Sequence, residues 1–249
     1  APHFTDAVLQ EHEDMTLSYD EKTPTPFQTR TTLDWNIQQL AEVQLTRYPS
    51  EKASGAAVII LDAPSGEVLA MIGSPDYQNT SQAGQYNAAL SPRSPGSTLK
   101  PFAYALAFDR GQLTPEEVLR DTPLRLPGYQ PQNFDRRFRQ RVSARQALVD
   151  SLNLPSIEVV RRIGQRPFLE TLHDLGLSTL DKPPEHYGLN LILGGGEVRL
   201  LDLSRAYAKL AHVSPKDPLS SEAAWITSDI LSDSERDFAV YGHTEKGTR

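Results

Sequence analysis

Two apolar runs, Ala56-Ala57-Val58-Ile59-Ile60-Leu61 and Glu67-Val68-Leu69-Ala70-Met71-Ile72, bracket the turn Asp62-Ala63-Pro64-Ser65-Gly66, and this arrangement constrains the fold most tightly. Aliphatic and β-branched residues on both sides of Asp, Pro and Gly turn chemistry predict a well-buried β-hairpin. Downstream, the periodicity changes. Apolar residues recur at helical spacing over 97–110, closed by Gly111, and again over 143–152, 155–163, 167–175, 197–211 and 222–231. Strands first and helices after predict an α+β fold. Upstream, Arg30 to Leu33 is expected as a short strand, and Asp34 is placed to N-cap a helix carrying Ile37, Leu40, Ala41 and Leu45. Residues 1–29 are polar and end in Thr23-Pro24-Thr25-Pro26, which predicts an extended or poorly ordered lead-in. The expected division is a linker and N-terminal appendage over 1–50 and a main domain over 51–249.

Composition removes several function classes. A net charge of -7 disfavours nucleic acid, and the cluster Arg136, Arg137, Arg139 and Arg141 is too short to reverse it. The absence of cysteine excludes disulfides, thiolate metal sites and thiol catalysis. The six histidines show no close metal-ligand spacing and are expected on surfaces or at helix ends, so neither a metal nor a cofactor is expected. The longest apolar run, Phe102 to Phe108, falls far short of the roughly 20 residues that span a bilayer. Gly194-Gly195-Gly196 lacks a following Lys-Ser/Thr and precedes Glu197, which suits a tight turn before a helix better than a phosphate cradle.

Ser97-Thr98-Leu99-Lys100 follows the chain-breaking Pro95-Gly96 and opens an apolar helical stretch. Residues at i and i+3 share a helix face, so the Lys100 amine can approach the Ser97 hydroxyl, beside unpaired N–H groups at the helix start. That geometry suits acyl transfer, provided burial or a neighbouring cation keeps Lys100 neutral enough to accept a proton. The spacing alone is weak, because 20 Ser and 7 Lys give about 0.6 chance matches. A capping serine with a surface lysine is the competing reading. Ser151-Leu152-Asn153, 54 residues after Ser97, is expected in an interhelix turn before Pro155. There a hydroxyl could relay a proton, and an amide could hold a substrate amide and Lys100; ordinary turn chemistry explains the same residues.

The wording around these residues is specific. Arg93-Ser94-Pro95-Gly96-Ser97-Thr98-Leu99-Lys100-Pro101-Phe102 resembles the active-serine segment of class A penicillin-binding proteins, in which Ser-x-x-Lys, Ser-x-Asn and Lys-Thr-Gly boxes form one site. Pro131-Gln132-Asn133-Phe134, Val142 to Leu148 leading into Ser151-Leu152-Asn153, and Leu193-Gly194-Gly195-Gly196-Glu197-Val198 resemble further family segments in the same order. So do Arg30 to Asp34 and Ser65 to Ala70. The likeness covers residues 30 to about 212 and is greatest to the 1C type.

The resemblance implies a penicillin-binding, serine transpeptidase fold and a periplasmic D,D-transpeptidase that cross-links peptidoglycan stem peptides and is acylated by β-lactam antibiotics. It makes Ser97 the nucleophile, Lys100 its base, Ser151 a proton relay and Asn153 a substrate binder. Class A members also carry a membrane anchor and a glycosyltransferase domain, after which this chain is expected to begin. A non-catalytic penicillin-recognition module and a serine β-lactamase or D,D-carboxypeptidase are the alternatives. The third box departs from the pattern: the nearest approach to Lys-Thr-Gly is Glu245-Lys246-Gly247-Thr248-Arg249, and most of the C-terminal sheet is expected to be missing. No catalytic role falls on Lys246.

Overall fold

The computed structural model describes residues 1–14, 29–47, 55–125 and 130–232, with the side chains of 12–14 left aside. The segments around Thr23-Pro24-Thr25-Pro26 and Glu245-Lys246-Gly247-Thr248-Arg249 lie outside the described residues. The described residues form two compact units, one from those within 1–92 with 199–208 and the other from those within 93–198 with 209–232.

The first unit contains the expected hairpin. Strands β1 (Val58–Leu61) and β2 (Val68–Ile72) pair antiparallel, with Val58 opposite Ile72 and Ile60 opposite Ala70. Their turn closes through Gly66 N–H to the Asp62 carbonyl at 2.8 Å, with Gly66 at φ 73°, a left-handed conformation that glycine adopts without strain. Burial is uneven: β2 is largely buried, whereas every residue of β1 is only half-buried. Phe4, Val68, Met71 and Ala89 form the centre of this unit's core, with Leu200 and Leu201 packed against it.

Two differences from expectation concern the N-terminal residues. Residues expected to be extended form helix α1 (Pro2–Asp14), where Phe4 and His3 are buried and the His3 ring bonds the Gly84 carbonyl at 2.9 Å. His3 stands at the start of α1, one of the helix-end positions expected of the histidines, but with its ring buried rather than in solvent. The local composition is polar, but two buried side chains anchored by tertiary contacts outweigh it. Arg30 to Leu33 does not form a strand; that segment runs along β2, with the Thr32 hydroxyl donating to the Val68 carbonyl and Asp34 N–H to that of Leu69.

Asp34 does cap helix α2 (Trp35–Arg47), its carboxylate accepting from Asn36 and Ile37 N–H at 2.9 and 3.0 Å. The buried face of α2 is Gln38 and Ala41, while Leu40 is exposed. Gln38 explains the rotation. Its side-chain oxygen accepts from Met71 N–H at 2.9 Å and its amide donates to the Met71 carbonyl at 3.3 Å, so it pairs groups that an edge strand would leave open.

The second unit is mostly helical and centred on α3 (Lys100–Asp109), in which every residue from Lys100 to Phe108 is buried. A helix buried all round must be enclosed by neighbours. Around it lie α4 (Ala144–Val149), α5 (Asn153–Ile163), α6 (Gln165–Asp174) and α9 (Ser221–Leu231); in chain order the short α7 (Pro184–Tyr187), which packs on α6, and α8 (Leu200–Ala211) come between α6 and α9. Phe102, Tyr104, Ile157, Phe168 and Ile230 are all buried in this unit, the phenylalanine and isoleucine side chains each contributing about 1.5–3 kcal/mol of apolar burial. Serine hydroxyls cap α4 and α9, Ser143 accepting from Gln146 N–H and Ser220 from Ala223 N–H.

A ribbon of β3 (Val118–Asp121) and β4 (Gln140–Ser143) escaped the sequence reading. In β3 the exposed positions are Val118 and Arg120 and the buried ones Leu119 and Asp121, so the apolar alternation that signals a strand is broken by an inward carboxylate.

Candidate active site

Ser97 lies in a 3-10 turn, Gly96–Leu99, that runs directly into α3. In 3-10 geometry side chains at i and i+3 eclipse, so Ser97 and Lys100 stand on one face, and the Lys100 N–H bonds the Ser97 carbonyl. Gly96 enters the turn at φ 56°, where a side chain would be strained. Ser97 is exposed, whereas Lys100 is 1% exposed. Ser97 and Lys100 thus share one face, as their i, i+3 spacing predicts, while the burial of Lys100 comes from the tertiary fold.

The glycine-rich turn braces this segment. Gly194 has φ 95°, and a methyl group added there would stand 2.7 Å from both Gly96 Cα and Gly96 N. The Ser94 hydroxyl donates to the Gly194 carbonyl at 2.8 Å, and Arg93 and Val198 form a reciprocal backbone bridge at 3.0 and 2.9 Å. Gly194-Gly195-Gly196 is therefore a tight turn, as expected, and its glycines permit the backbone to lie against the turn that carries Ser97.

Ser151 and Asn153 arrive from the junction of α4 and α5. Helix α4 ends in a Schellman arrangement, with Ser151 N–H bonded to the Leu148 carbonyl and Leu152 N–H to that of Ala147. The residue at the turning position is Ser151, at φ 53°, where glycine is usual. This left-handed conformation directs both Ser151 oxygens to Lys100. Lys100 Nζ donates to the Ser151 carbonyl at 2.5 Å, to Ser151 Oγ at 3.2 Å and to Asn153 Oδ1 at 2.7 Å. No hydrogen bond joins Ser97 Oγ to Lys100 among the described residues. Burial lowers the Lys100 pKa from 10.5 to about 7, so near neutral pH the amine is divided between its charged and neutral forms.

Asn153 is held in place by partners that sequence reasoning missed. Its side-chain amide donates to the Gln132 carbonyl at 2.6 Å, and its backbone N–H donates to Asn133 Oδ1 at 2.9 Å. The buried Asn133 amide donates to both Asp121 carboxylate oxygens, at 2.8 and 3.0 Å, and Asp121 also accepts from Arg139 N–H at 2.8 Å. Beside Asn133, Phe134 is fully exposed. In the sequence this network is marked by Pro131-Gln132-Asn133-Phe134. Nothing local announced that Asp121, on a strand, would anchor it.

A buried lysine of depressed pKa, joined to a serine and an asparagine one helical turn from an exposed serine, is the kind of site in which a hydroxyl can be activated for acyl transfer. Among the described residues, no group of three or more His, Cys, Asp or Glu side chains could hold a metal ion, and no helix is long and apolar enough to cross a membrane.

The sequence profile of the penicillin binding protein transpeptidase domain matches residues 56–247. The chain belongs to that family. It is 38% identical over 221 residues to penicillin-binding protein 1C of Escherichia coli K12, covering 82% of this chain and 28% of that protein. It is 33% identical over 165 residues to penicillin-binding protein 1A of Neisseria cinerea, covering 63% of this chain and 20% of that protein. The chain thus spans under a third of the length of these relatives. Among solved structures, the penicillin-binding protein PonA1 of Mycobacterium tuberculosis shares the fold at TM-score 0.70 and 21% identity, over 84% of this chain and 56% of that one. Penicillin-binding protein 1A of Haemophilus influenzae matches at TM-score 0.54 and 29% identity, over 63% of this chain and 23% of that one. The α+β, penicillin-binding fold read from the sequence holds, as does the likeness to the 1C type.

Proposed function

We propose that this chain is a periplasmic peptidoglycan D,D-transpeptidase acylated at Ser97, with residues 51–249 as the transpeptidase domain and 1–50 as its appendage. The observation that carries the reading is the convergence of Lys100, Ser151 and Asn153 through three hydrogen bonds, in a chain of the penicillin-binding family. Neutral Lys100 takes the proton as Ser97 Oγ attacks the penultimate D-Ala carbonyl of a stem peptide. The tetrahedral adduct collapses to an ester, the C–N bond breaks, and the departing D-Ala amine takes a proton returned through Ser151. An amine of a neighbouring strand then attacks the ester, Ser97 recovers its proton, and a new amide is formed. Asn153 orients the donor peptide through its side-chain amide. β-Lactams enter by the same first step, ring opening replacing departure of D-Ala.

Fluorescent penicillin tests the reading. Covalent label is expected on the folded protein and none on Ser97→Ala. A folded wild type that never labels would favour a recognition module, and rapid return to the unmodified mass after labelling would favour a β-lactamase or carboxypeptidase.

A further inference from the structure

A cavity of about 660 Å³, lined by none of Ser97, Lys100, Ser151 and Asn153, lies between the β3–β4 ribbon and α5. Its lining is unusually cationic for a chain of net charge -7: Arg120, Arg141, Arg161 and Arg162 all line it, with Glu158 as the one acidic group. The fold brings them there by simple periodicities. Arg120 and Arg141 are directly opposite across the ribbon. Leu154, Glu158, Arg161 and Arg162 stand at i, i+4, i+7 and i+8 and so share one face of α5.

Arg162 is answered by Glu117 and Glu158. Among the described residues, no ion pair includes Arg120, Arg141 or Arg161. Like charges placed directly opposite on paired strands are destabilising, and the nearest carboxylate, Glu158, which accepts from the Arg120 backbone N–H at 3.1 Å, is already shared with the Arg162 guanidinium.

We propose that this cavity binds a phosphoryl-bearing anion, best a diphosphate. Three unpaired guanidiniums exceed what one carboxylate can answer, whereas each phosphoryl group brings about -1.5 to -2 charge and three strong acceptor oxygens at pH 7. Arginine forks match those oxygens bidentately. The volume falls in the range of roughly 300–1,000 Å³ that small-molecule sites occupy, with the half-buried Leu124 and the buried Leu154 as apolar wall beside the exposed Arg120, Arg141 and Arg161. The same group could arrive free in solution or on a lipid headgroup.

Titration calorimetry at low ionic strength, with inorganic pyrophosphate as the probe and citrate as the carboxylate control, tests this. Saturable pyrophosphate binding is expected, much tighter than citrate, and weakened at least about tenfold in Arg120→Gln/Arg141→Gln, which loses several charge-assisted contacts. That variant should melt no lower than wild type, because a repulsive pair has been removed. Cosedimentation with phosphatidylcholine vesicles, with and without phosphatidic acid, separates the sources: arginine-dependent capture by phosphatidic acid assigns a lipid-borne phosphoryl group, and no capture assigns a soluble one. Absence of pyrophosphate binding to the folded protein, equal binding of citrate, or affinity unchanged in the variant would overturn the proposal, as would a lower melting temperature, which would make the arginines structural.

Discussion

Lys100 Nζ lies 2.7 Å from Asn153 Oδ1. The contact joins the first turn of α3 to the first residue of α5, and with Ser151 it gives a buried ammonium three acceptors. A lysine so placed is held at fixed geometry with a pKa of about 7, which suits a base working near neutrality.

The rate of acylation by penicillin should therefore rise with pH through about 7 and level off above it, as Lys100 loses its proton. Lys100→Ala should acylate about a hundred- to ten-thousandfold more slowly with helicity nearly intact, since general-base catalysis is lost and alanine is a good helix former. Stopped-flow measurement of acylation across pH 5–9, the range centred roughly on this titration, provides the check. Near-normal acylation in the variant would remove Lys100 from the mechanism.

Stability should carry the same signature. The folded pKa of Lys100 is depressed below its unfolded value near 10.5, so between about pH 7 and 10 the unfolded chain binds more protons at this site and stability rises with pH. Wild type should gain on Lys100→Met across that window by on the order of 1–4 kcal/mol. Urea denaturation of both proteins at pH 7 and pH 9.5 measures the difference; a constant offset would mean that burial does not depress the lysine.

Ser151 separates chemistry from stability. Its φ of 53° costs a non-glycine residue about 1–2 kcal/mol, so Ser151→Gly should be as stable as wild type or more so, while Ser151→Ala keeps the strain. Both lose Oγ and should acylate slowly. Melting temperatures paired with acylation rates check this, and normal rates in both variants would deny the hydroxyl a part.

Gly194→Ala should damage the site from a distance. The added methyl group meets backbone atoms of Gly96 at 2.7 Å and sits at φ 95°, so the turn carrying Ser97 must move. A loss of about 1–3 kcal/mol and a drop in acylation are expected. Unchanged kinetics would show that this contact does not position Ser97.

Asn133→Ala should act through Asn153. It leaves the buried Asp121 carboxylate without its amide donor and the Asn153 N–H without its acceptor, at about 1–3 kcal/mol for groups so stranded. Slower acylation with little change in the pH midpoint would mark a positioning role; an acylation rate equal to wild type would leave Asn133 purely structural.

The sequence by itself determined what depends on neighbours in the chain. The hairpin turn at Asp62 to Gly66, the Asp34 cap, the helices from 97 to 231 and the shared face of Ser97 and Lys100 are local matters, set by hydrogen bonds and side-chain spacing within a few residues. Family wording added Ser151 and Asn153 to the same site, yet neither spacing nor wording could bury Lys100. Tertiary structure alone decided that, because desolvation of the amine requires α3 to be enclosed on all sides. It also decided that Asp121 would hold Asn133 from an inward position on β3, that His3 would enter the core and that Gly96 and Gly194 would touch. Each of these joins residues far apart in the chain, and their free energy comes from packing and paired polar groups that exist only once the elements have met.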